Sequence, residues 1–67
     1  MINKLKQAKR MWKNGSTHGE ILEVTGLSRE IEYAITLDGI TPELVYSKLP
    51  RIQAGMKSDE IRSIFGD

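Results

Sequence analysis

His18 is the single imidazole of this 67-residue chain, and an imidazole is the side chain best suited to move a proton or hold a metal near neutral pH. Its surroundings argue against both roles. A metal site needs further ligands at fixed spacing, and the chain has no second histidine and no cysteine. The nearby carboxylates, Glu20 and Glu23, are accounted for by helix capping and solvation. Glu30 with Glu32, and Asp59 with Glu60, stand two and one residues apart, spacings that do not set two carboxylates on one helix face. No general acid and base pair is therefore implied, and no glycine-rich phosphate loop is present. The expectation is a protein that is not an enzyme, uses no cofactor and no metal, and gives His18 a structural role.

The charges are unevenly placed although the net charge is only +1. Lys4, Lys6, Lys9, Arg10 and Lys13 face no acid in residues 1–15, whereas residues 16–43 set Glu20, Glu23, Glu30, Glu32, Asp38 and Glu43 against Arg29 alone. One end is cationic and the middle anionic. A chain this short buries only about 60 percent of the surface its unfolded form exposes, and without cysteine it has no disulfide or thiolate metal site to reinforce it. The absence of cysteine and of any long apolar run points to a cytoplasmic protein with no membrane span.

These side chains have to be held by helices. Ile2, Leu5, Ala8 and Trp12 recur at three- and four-residue steps, the pattern of an amphipathic helix ending at Asn14 and Gly15, with Trp12 expected in the core. Thr17 with Glu20 forms a capping box for a helix over residues 18–25, and Gly26 ends it in the left-handed conformation. Ser28 caps a third helix whose stripe is Leu27, Ile31, Ala34 and Ile35, leaving Tyr33 off the stripe and exposed. Asp38 and Gly39 read as a turn, and Thr41 with Pro42 starts a short fourth helix that ends or bends at Pro50. Residues 51–54 continue as a turn or short helix, and Ser58 caps a last helix over residues 59–65. Met11, Met56 and Phe65 are expected to pack inside. A weak echo at an offset of 40 residues pairs Gly15 with Gly55, Glu20 with Glu60, Ile21 with Ile61, Val24 with Ile64 and Gly26 with Gly66. The fold expected is all-α, one domain over residues 1–67 with four or five short helices.

The stretch NGSTHGEILEVTGLSREIEYAI, with Glu20, Ile21, Gly26, Leu27 and Ser28 in their order, resembles the three-helical helix-turn-helix DNA-binding family over residues 5–37. TGLSREIEYAITLDGITPE, with Gly39 and Pro42 after the third helix, is also similar to winged-helix regulators of the mercury-resistance type and to phage excisionases. RIQAGMKSDEIRSIF is similar to a helix pair found later in those regulators, although their basic wing is missing. Leu22 stands where many family members have alanine, which implies a looser or differently angled crossing. Glu32 stands where a β-branched aliphatic is usual, which implies a rotated recognition helix.

The resemblance implies a core over residues 4–37 and a C-terminal extension over 41–67 that dimerises or partly repeats it. Function would then be that of a small sequence-specific DNA-binding regulator of phage or mobile-element type. Ser28, Arg29, Glu30, Glu32 and Tyr33 would meet bases or phosphates, with Arg29 donating two hydrogen bonds to guanine. Ser16, Thr17 and His18 would meet a phosphate, and Lys6, Lys9, Arg10 and Lys13 would run along the backbone. A homodimer on double-stranded DNA would be joined through Leu44, Val45, Leu49, Ile52, Ile61, Ile64 and Phe65. Against this, Glu30 and Glu32 are repelled by phosphates, and the helix-turn-helix shape also serves as a protein-binding platform. The alternative is therefore an interaction module, such as an antagonist of a DNA-binding protein.

Overall fold

Local signals place the helices. In the computed structural model, which describes residues 1–66, α1 runs Ile2–Lys13, α2 His18–Thr25, α3 Arg29–Thr36, α4 Pro42–Lys48 and α5 Ser58–Gly66, with one 3-10 turn at Leu49–Arg51. The chain is all-α as expected. Both halves of the capping box form: Thr17 Oγ1 accepts from the Glu20 N–H at 3.2 Å, and Glu20 Oε1 accepts from the Thr17 N–H at 2.8 Å. Gly26 closes α2 at φ 69°, a conformation that side chains with a Cβ rarely adopt. Ser28 Oγ caps α3 by accepting from the Ile31 N–H at 3.3 Å. Thr41 caps α4, and Pro50 sits inside the 3-10 turn that follows it. The last helix starts one residue earlier than expected. Ser58 is its first residue rather than its cap, and Glu60 closes the end by accepting from the Lys57 N–H at 2.9 Å.

The core is built around α3, which touches every other α-helix. Leu5 and Ala8 of α1, Ile21 of α2, Ala34 and Ile35 of α3 and Val45 of α4 are fully buried, and Ile61 of α5 nearly so. Met11, Met56 and Phe65 pack against this cluster as expected. Thr25, at 2% exposure, is satisfied inside the protein: its hydroxyl donates to Ile21 O at 2.7 Å and accepts from the Leu27 N–H at 3.4 Å, tying α2 to the turn.

Several tertiary expectations are corrected. Trp12 is exposed rather than a core residue, its ring tilted against His18 at 4.7 Å between centroids. Tyr33 is half-buried because α5 lies over it, and Arg62 Nη1 donates to Tyr33 Oη at 3.1 Å. The residues assigned to a dimer surface are largely taken up within the chain. Val45, Ile61 and Ile64 are buried, while Leu49, Ile52 and Phe65 pack on the core.

Lys9 Nζ reaches from α1 to the C-terminal end of α3, donating to Ile35 O at 2.9 Å and Leu37 O at 3.1 Å. A cation there satisfies carbonyls the helix leaves free and complements its negative end. Replacing it with methionine is expected to destabilise the protein by about 1–2 kcal/mol, read as a lowered midpoint in urea denaturation. No described helix is long and apolar enough to cross a membrane.

Candidate functional site

Helical spacing puts Arg29 and Tyr33, four residues apart, on one side of α3, away from its fully buried Ala34 and Ile35. In a groove-reading helix that side stands proud. Here it is the floor of a groove of about 480 Å3 between α2 and α5, walled by Leu22 on one side and by Met56, Ser58 and Ile61 on the other. Of the eight residues of α3 only Arg29 is exposed. The groove is mostly apolar, and the first residues of three helices line it: His18 of α2, Arg29 of α3 and Ser58 of α5.

Most of the residues assigned to DNA contact are bonded elsewhere in the protein. Glu32 is 3% exposed, and both its carboxylate oxygens lie within hydrogen-bond distance of His18 Nδ1, at 2.8 and 3.0 Å. An acid therefore occupies the inward position at which the resemblance expects an aliphatic. The rotated recognition helix is corrected: the carboxylate is carried inside and given an imidazole partner, because burying it unpaired would be prohibitive. Glu32 cannot reach a base from there, and His18 is bonded to it rather than free for a phosphate.

Glu30 Oε2 accepts the Gly55 N–H at 3.0 Å, pinning the loop before α5 to α3. That bond holds the Glu30 carboxyl below the usual glutamate range, as the Thr17 N–H does for Glu20. A carboxyl lowered in the folded state contributes its stabilisation above the unfolded pKa and loses it as pH falls through the folded one. The Gly55 amide proton shift is therefore expected to titrate with a midpoint below the ordinary value for glutamate. An NMR pH series checks this, and a midpoint at or above that value would remove the bond.

Lys9 is a further correction. Its ammonium is held at the end of α3 and is not free to run along a phosphate backbone, and burial, then Lys13, lowers its pKa. Lys6 Nζ lies 3.9 Å from Glu43 Oε2 across an exposed gap. Arg10 and Lys13 stay exposed on α1, which contributes no residue to the groove. The structure thus brings His18, Arg29, Glu30, Glu32 and Tyr33 together and leaves the α1 cations on another surface. Sequence reasoning missed Leu22, Met56, Ser58 and Ile61 as groove walls. The repeat at 40 residues was the available signal, since Ile21 and Ile61 are both buried and α2 and α5 both pack on α3. No family model, curated protein or solved structure matches this chain, so the side chains just described carry the functional reading.

Proposed function

We propose that the protein is an interaction module that takes a segment of a partner protein into the groove between α2, α3 and α5. The observation supporting this is the setting of α3: its Arg29 and Tyr33 side lies at the bottom of a groove with apolar walls from Leu22, Met56 and Ile61, rather than standing as a ridge able to enter a DNA groove. An amphipathic helix or extended segment that inserts apolar side chains is the usual occupant of such a surface. Met56 is half-buried at the wall, so Met56→Glu is expected to abolish partner binding, with circular dichroism checking that the helices are retained. A variant that still bound its partner at full strength would remove the groove from the interaction.

A second reading rests on α1. Lys6, Arg10 and Lys13 are exposed and spaced four and three residues apart, one cationic face that could lie along a duplex backbone. Duplex binding through that face would weaken with salt at a slope of up to about 3, roughly 0.9 per phosphate neutralised. Absence of duplex affinity at low salt would leave the protein-docking reading alone.

A further inference from the structure

Resting on the docking reading, we infer that residues 52–66 form a detachable arm: α5 leaves α3 as a unit while α1 to α4 stay folded, so the groove exists only while the arm is docked. Local opening is expected where an element has few packing partners and its ties to the rest face solvent. α1 packs on α2, α3 and α4, whereas α5 packs chiefly on α3. The fully buried Leu5, Ala8, Ile21, Ala34, Ile35 and Val45 all belong to α1–α4, and α5 adds Ile61 and Ile64. Residues 52–57, which lead to α5, form no regular helix. Their backbone bonds are short-range: the Ile52 N–H donates to Leu49 O and the Met56 N–H to Gln53 O. The Gly55 N–H donates to Glu30 and Arg62 Nη1 to Tyr33 Oη, tying the arm to α3 by two bonds that are both open to solvent.

Undocking also melts α5, because nine residues are too few to hold a helix alone in water. The groove is divided between the two parts. Leu22 and Tyr33 stand on the body, while Met56, Ser58 and Ile61 stand on the arm. The two residues that hold the arm, Glu30 and Tyr33, line the groove as well. A guest that touches both walls binds the docked state alone, so its apparent affinity scales with the docked fraction and its arrival holds the arm down in return.

The test uses the whole chain and no partner, so the arm can fail while the docking reading stands. Amide hydrogen exchange is followed by NMR in rising urea below the unfolding transition. Amides of residues 61–66 should be at least about tenfold less protected than the slowest amides of α1, and should share one opening with a smaller urea slope, because that opening exposes less surface. Protection and slope equal to those of α1 would overturn the arm. Exchange graded toward the C-terminal end and indifferent to urea is the mark of fraying and would overturn it too. A full-length Ile61→Asp, Ile64→Asp variant fixes the released state: the α5 shifts should become those of coil while Ile21, Ala34 and Ile35 keep dispersed signals. Loss of those signals together with α5 would reveal a single cooperative core and sink the inference.

Discussion

Replacing His18 with alanine is expected to remove about 3 kcal/mol of stability, the lower end of the range for stripping one partner from a buried pair, because His18 itself is half exposed. The loss falls on Glu32, whose side chain is 4% exposed and whose bonds run to His18. A domain of this length is held by only about 3–10 kcal/mol, so the variant should melt far below the parent or fail to fold. The decisive companion is the double substitution His18→Ala with Glu32→Leu. It fills the buried position with an aliphatic, and it should recover most of the lost stability, since replacing a buried polar pair by apolar residues is often neutral or favourable. Urea denaturation of the two variants measures both. A double variant no better than the single one would show that His18 acts by packing on Trp12 rather than by bonding the buried carboxyl group.

The second large effect contrasts two residues that the internal repeat aligns. Ile64 is 4% exposed beneath α5, whereas Val24, its counterpart in α2, is 56% exposed. Ile64→Ala should cost about 2–4 kcal/mol through lost burial and the cavity left behind, while Val24→Ala should stay within about 0.5 kcal/mol. Thermal unfolding followed by circular dichroism separates them. Comparable losses at both positions would mean that α5 is not seated on α3 as described.

What could be read from the sequence was local. Thr17 with Glu20, Gly26, Ser28, and Thr41 with Pro42 act within a few residues of themselves, so their spacing alone sets where helices start and stop. The partners of Lys9, Glu30 and Glu32 lie 14 to 28 residues away, and no spacing rule links them. Lys9 belongs by composition to a cationic face, yet it stands four residues after buried Leu5, a spacing that turns it toward the core edge. Glu32 is out of place for an apolar stripe, and rather than a turned helix the chain supplies an imidazole from another helix. The apolar residues after residue 41 look, by pattern alone, like a surface for a second copy. A chain this small needs them for its own core, and α3 draws them in.

The tilted contact between Trp12 and His18 makes the protein its own optical probe. It holds the only indole in the chain, and His18 both lines the groove and bonds Glu32. Emission from that ring should register any event that shifts the imidazole, whether unfolding or arrival of a guest, so occupancy can be followed by fluorescence without attaching a dye.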